Sequence, residues 1–264
     1  MANVKDICDF LDRLAPMYMK LDFDNVGLLA GFAAAPVTRV LTALDITEDV
    51  ITEAADWGAE LIVSHHPLIF HPARRITDDD PVGRKVIRLI RGGMSAICMH
   101  TNLDAAEGGV NDALMDALGA AVTGLLDTHG SGPDGRPYGI GRVGVLQAPM
   151  ELNAFLARVK SVLAGNGLRY VAGGKTVEHI ACCGGSGGGE LEKAAALGCD
   201  TYVTADVKYD QFLLARDLGL TLIDADHFCT ENVVVPRLRD WLAKGFPELE
   251  LRISQSHCQA VQFY

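Results

Sequence analysis

The sequence is poor in basic side chains, in aromatics and in long apolar runs. Its 264 residues carry 23 Lys and Arg against 34 Asp and Glu, a net charge of −11. Such a balance excludes the basic face that nucleic-acid phosphates require. No apolar run approaches the roughly 18 residues of a membrane span. Residues 1–20 mix acidic and apolar side chains, so they read as part of the fold rather than as a secretory signal. Aromatics make up only 6%, so large rings do not carry the core. The seven cysteines (Cys8, Cys98, Cys182, Cys183, Cys199, Cys229 and Cys258) contain no C-x-x-C pair. That pattern and the odd count give no support to zinc-ribbon or thioredoxin-type readings, and with no secretory signal read at residues 1–20 a reducing cytoplasm is the expected setting. Most of them read as small buried hydrophobes. What the chain has in excess is glycine, 28 residues, which predicts tight turns and close backbone approaches.

Apolar periodicity places an α/β pattern along the chain. Asn3 caps a helix with Val4, Ile7, Leu11 and Leu14 on its inner face, ended by Pro16. Strand Arg39–Asp45, helix Thr47–Trp57, strand Glu60–Ser64, helix Pro81–Arg91 and strand Ser95–His100 follow. The order returns with strand Val177–Cys183, a glycine turn at Gly184–Gly189, helix Glu190–Leu197, strand Asp200–Thr204, helix Gln211–Leu218 and strand Leu220–Asp224. Ile180, Gly198 and Val203 stand 140 residues after Val40, Gly58 and Val63. The expectation is two related α/β lobes with mostly parallel sheets, residues 1–128 and 129–264, joined by the glycine-rich stretch 129–145.

Ligands of parallel α/β sheets bind beyond the carboxyl ends of the strands, and the histidines and acids collect there. Ser64 leads into His65-His66-Pro67, Met99 into His100 and Asp104, and Asp224 into His227 and Glu231. His227 and Glu231 share a helical face. Three imidazoles and two carboxylates, His65, His66, Asp104, His227 and Glu231, suit two divalent metals. Two such ions would bring +4 against two carboxylates and a hydroxide, leaving a local positive charge for an anion such as a phosphate. His71, His129, His179 and His257 read as structural or surface residues. Asp24-Asn25 reads as a turn into a strand. Gly184–Gly189 reads as a closely packed turn; it lacks the lysine of a P-loop and the spacing of a dinucleotide fingerprint.

These blocks resemble the Nif-three-like proteins, often labelled GTP cyclohydrolase I type 2 homologues. The resemblance rests on Ala43–Thr47, Leu61–Phe70, Asp24–Leu28, His100–Ala106, Gly108–Leu114, Gly139–Gly144, Asp206–Tyr209 and His227–Glu231, in the family's order. It implies two α/β lobes with a dinuclear metal centre in the cleft between them. It implies ligands at His65, His66, Asp104, His227 and Glu231 for two divalent ions of iron, zinc or manganese, and a homo-hexameric ring. The activity it implies is metal-dependent hydrolysis of a nucleotide-like or phosphorylated small anion, with His100 and Lys208 as candidates to move a proton or hold the anion. The alternative is a non-catalytic, metal-binding regulatory or interaction protein. Where family members carry Gly, this chain has Asp226, a carboxylate placed to orient a ligand histidine or to weaken anion binding. Cys229, between two expected ligands, is a further soft donor candidate.

Overall fold

A computed structural model describes residues 1–174, 176–262 and 264. The chain forms two compact units, Met1–Leu103 with Val235–Cys258, and Asp104–Val234 with Gln259–Tyr264. The lobe boundary read from the sequence, 128/129, lies inside the continuous strand Ala120–Ser131.

The first unit is built on a five-stranded sheet in the order Gly27–Ala30, Ser95–Cys98, Leu61–Ser64, Arg39–Ala43 and Glu250–Ile253. Only the edge strand Gly27–Ala30 runs antiparallel to its neighbour. The expected helices Val4–Leu14, Glu48–Trp57 and Pro81–Arg91 all form. Their first turns are held by the residues whose chemistry suits a cap: Asn3 accepts from the Asp6 amide, Thr47 from Val50, and Asp80 from Gly83. Leu41, Ile51, Ile62 and Leu89 pack into one buried core.

The second unit holds a six-stranded sheet in the order Ala120–Ser131, Pro137–Met150, Val177–Cys182, Thr201–Thr204, Thr221–Asp224 and Arg169–Val171. It is parallel only among Val177–Cys182, Thr201–Thr204 and Thr221–Asp224; its other pairings are antiparallel. The stretch 129–145, expected as a join, instead belongs to a long hairpin within this sheet. Its glycines serve that pairing: a Cβ at Gly139 would lie 1.8 Å from the Asp127 carbonyl oxygen. Alternate residues of the central strands feed opposite faces. Ile180, Val203 and Ile223 pack with Phe155 on one side; Ala181, Tyr202 and Leu222 pack with Leu191 on the other.

Helices Val110–Leu118, Leu152–Val162 and Val235–Gly245 were not among the sequence expectations. No helix of the described residues is long and apolar enough to cross a membrane.

Candidate metal centre

In the first unit, three adjacent strands end at the chemistry. Arg39–Ala43 is followed by Asp45, Leu61–Ser64 by His65 and His66, and Ser95–Cys98 by His100. After Ser64 the chain stays tied to the neighbouring strand's end: the His65 amide donates to Ala43 O at 3.3 Å and the His66 amide to Leu44 O at 2.9 Å. The two rings lie 5.0 Å apart, centre to centre, tilted by 41°. The His100 ring is 5.2 Å from His65 and 5.7 Å from His66. One nitrogen from each of the three rings falls within 4.8 Å of the others.

The rings are oriented from behind. His65 Nδ1 is 2.9 Å from the Met99 carbonyl oxygen, His66 Nδ1 is 2.7 Å from Asp45 Oδ1, and His100 Nδ1 is 2.8 Å from Asp24 Oδ1. An acceptor at Nδ1 fixes the tautomer in which Nε2 carries the lone pair, the arrangement found behind metal-ligating histidines. Asp24 is thus more than the turn residue expected. Burial opposes its ionisation, but hydrogen bonds from His100 and Thr101 outweigh it and hold the carboxyl well below its usual range.

The second unit repeats this plan at the ends of its parallel strands. Thr201–Thr204 is followed by Asp206, and Thr221–Asp224 by Asp226 and the short helix His227–Glu231. His227 Nδ1 lies 2.8 Å from Asp206 Oδ2, and its Nε2 lies 3.1 Å from Glu231 Oε2. Burial lowers the His227 pKa, yet the Glu231 and Asp206 carboxylates raise it further, to about 9. Asp104, on helix Thr101–Ala105, belongs to this unit, and oxygens of the buried Asp104 and Glu231 lie within 4.8 Å of each other. Two buried carboxyl groups so close, with His227 Nε2 beside one of them, form a donor set of the kind that suits a divalent cation. Gly185 makes the room: a Cβ there would stand 2.1 Å from Glu231 Oε1 and 3.1 Å from His227 Nε2.

Asp104 is held in place by its own surroundings. Asn111 donates to its carbonyl oxygen at 2.9 Å. The buried Arg142 guanidinium donates to the carbonyls of Ala105 and Ala106 at 3.2 and 2.9 Å, and pairs with Asp112 at 3.0 Å. Sequence reasoning assigned Arg142 no role, because an isolated arginine gives no sign of being buried.

The remaining candidates sort by contact. Asp226 does not orient His227, as Asp206 does that; its carboxylate caps the His227–Glu231 helix by accepting from the Cys229 amide at 3.2 Å. Cys229 packs in the buried core, with its thiol pushed up to about 12 by burial and by Asp226, so it behaves as a small hydrophobe. Lys208 is exposed, and among the described residues no ion pair joins its ammonium to Glu231. The Gly184–Gly189 turn spends its amides inside the protein: Gly184 donates to Asn111 Oδ1, Gly185 to Thr230 Oγ1 and Gly187 to Thr204 Oγ1. Of the other histidines, His129 pairs with Asp127, His257 bonds the Ser254 carbonyl, and His71 and His179 are exposed.

Imidazoles locked from behind and paired buried carboxylates, set at strand ends of an α/β scaffold, are donors of the kind that hold divalent metals. Solved structures share the scaffold. A Bacillus cereus protein described as related to NIF3 matches with a TM-score of 0.91 and 26% identity, over 100% of this chain and 99% of its own. A Staphylococcus aureus protein matches with a TM-score of 0.91 and 28% identity, over 99% of each chain. The sequence pattern of Duf34/NIF3 (NGG1p interacting factor 3) matches residues 2–260, and the chain belongs to that family. A Clostridium acetobutylicum relative named GTP cyclohydrolase 1 type 2 homolog is 35% identical over 99% of this chain and 98% of its own length. A Helicobacter pylori relative named GTP cyclohydrolase 1 type 2 is 30% identical over 88% of each chain.

Proposed function

We propose that this protein is a metal-dependent hydrolase that holds two divalent ions through His65, His66, Asp104, His227 and Glu231 and acts on a nucleotide-like or phosphorylated small molecule. The observation that carries this reading is the burial of Asp104 and Glu231 together, with His227 against Glu231, a set of donors that a cation would balance. Divalent ions supply Lewis acidity and a hydroxide nucleophile at neutral pH. The chain's own part is to orient. Met99 O, Asp45 and Asp206 set the His65, His66 and His227 rings. Of the two candidates for moving a proton, His100 and Lys208, the Asp24 carboxylate behind the His100 ring favours His100. The names of the Clostridium and Helicobacter relatives point to GTP as the first substrate to try. The homo-hexamer and the cytoplasmic setting belong to the same proposal; light scattering on the purified protein measures the former.

A second reading is favoured by the family description, an interacting factor: a metal-binding regulatory protein without turnover. One experiment separates the two. Freshly purified protein is analysed for metals and assayed on GTP and generic phosphoesters beside the His65→Ala/Glu231→Ala variant. About two metals per chain, lost in the variant, and turnover confined to the parent are expected. Two metals with turnover equal in both proteins leaves the regulatory reading; well-folded protein that takes up no added metal overturns both.

A further inference from the structure

A second feature of the first unit lies immediately after the His65-His66 pair. The segment Pro67–Lys85 surrounds a cavity of about 670 Å³ that the histidine site does not account for. Its wall carries Arg74, Arg75 and Lys85, a local reversal of sign in a chain with a net charge of −11. The acids on the same wall are already committed. Asp80 accepts from the Gly83 amide at 2.7 Å as the cap of helix Pro81–Arg91, and Asp79 accepts from the Thr77 hydroxyl. Lys85 donates to the Ile46 carbonyl at 3.0 Å. Among the described residues, no carboxylate pairs with Arg74 or Arg75, and both are exposed. The loop that presents them is seated against the helix start, since a Cβ at Gly83 would lie 2.3 Å from Thr77 O.

An aromatic wall joins this cavity to the histidines. Phe70 lines the cavity and also meets the His100 ring edge-on, at 6.0 Å between centres. Phe23 stands edge-on to Phe70 at 6.1 Å, and both rings are exposed rather than buried in core. The edges and faces of these two rings, with Phe70 set beside the His100 imidazole, suit a flat heterocycle. Two guanidinium groups beyond them suit phosphate oxygens, which a planar fork of N–H donors binds in pairs.

We propose that this cavity is a substrate subsite, in which Arg74 and Arg75 bind the phosphate groups of a nucleotide-type molecule and Phe70 supports its planar ring beside His100. The ring's position relative to the reacting bond rests on the hydrolase reading above; the binding of phosphate does not. The test therefore uses the protein both as purified and after chelation. Inorganic tripolyphosphate, GTP and guanosine are titrated by calorimetry into the parent and into the Arg74→Glu/Arg75→Glu, Arg74→Lys/Arg75→Lys and Phe70→Ala variants. Circular dichroism confirms that each is folded.

Tripolyphosphate is expected to bind chelated protein, to weaken at least about tenfold on charge reversal, and to recover most of that loss with lysines. Phe70→Ala is expected to weaken GTP several-fold and leave tripolyphosphate unchanged. Absence of tripolyphosphate binding, or affinity within twofold of the parent after charge reversal, overturns the subsite. Equal GTP affinity in Phe70→Ala overturns the ring contact. Phosphate binding with no turnover on any substrate refutes the hydrolase reading alone, whereas turnover whose KM ignores Arg74→Glu/Arg75→Glu refutes the subsite alone.

Discussion

Gly185 shows how much of the second unit's chemistry depends on a missing side chain. Its φ of +63° lies in the left-handed region, and its Cβ would enter the Glu231 carboxylate. Gly185→Ala is expected to lower metal content sharply in elemental analysis; metal content equal to the parent's would show that Glu231 is not a ligand. Arg142 acts differently, through what it leaves behind. Truncation to alanine strands the Asp112 carboxylate and the carbonyls of Ala105 and Ala106. Losing one partner of a buried pair costs about 3–5 kcal/mol, so Arg142→Ala is expected to lower the unfolding free energy measured by urea denaturation by that amount. A change below about 1 kcal/mol would mean that water replaces the guanidinium.

At the scale of the element, the helix His227–Glu231 begins under strain. Asp226 has φ 74° and ψ 137°, a conformation normally left to glycine. Its carboxylate repays part of that cost by capping the Cys229 amide and bonding the Gln259 side chain. The two effects separate by substitution. Asp226→Ala keeps the strain and loses the cap, so it is expected to destabilise by about 1 kcal/mol. Asp226→Gly loses the cap but relieves the backbone, so it is expected to be neutral or stabilising by up to about 1 kcal/mol. Thermal melts of the two variants check the order; alanine equal to or above glycine would remove the strain argument. The strands tell a complementary story. Val177–Cys182, Thr201–Thr204 and Thr221–Asp224 were visible as apolar runs because both faces are buried. The hairpin Ala120–Ser131 with Pro137–Met150 was not, because its glycines and exposed polar residues resemble a linker until paired.

Across the whole molecule, acid is the condition to which the fold is tuned. Asp24, Glu53, Glu60 and Asp127 all have pKa values below their ordinary ones; burial opposes ionisation, and hydrogen-bond donors around each carboxylate prevail. A carboxyl depressed in the folded state contributes stability that is full above its unfolded pKa, about 4, and is lost as pH falls toward the folded value. The melting temperature is therefore expected to drop as pH falls from about 5 to 3. Each kcal/mol lost lowers it by about 2–4 °C in a chain of this length. Asp24→Asn is expected to melt lower at pH 7 and to show a shallower acid slope. Parallel slopes for parent and variant would mean that Asp24 keeps its ordinary pKa in the fold.

Sequence by itself determined the alternation of helices and strands, the helix caps at Asn3 and Thr47, the family, and the placement of His65, His66 and His227 just beyond strand ends. These follow from local physics: periodicity, capping chemistry, and the turn that must follow a strand. Tertiary structure alone decided which carboxylate stands behind which ring. Asp24 lies 76 residues from His100, and Asp206 lies 21 residues from His227. It also decided that Arg142 is buried, that Cys229 is core, and that Asp226 caps a helix rather than orienting a histidine. Each of these is a contact between residues distant in the chain or a choice among neighbours of equal chemistry. No periodicity records such a contact; it exists only once the strands have brought their ends together.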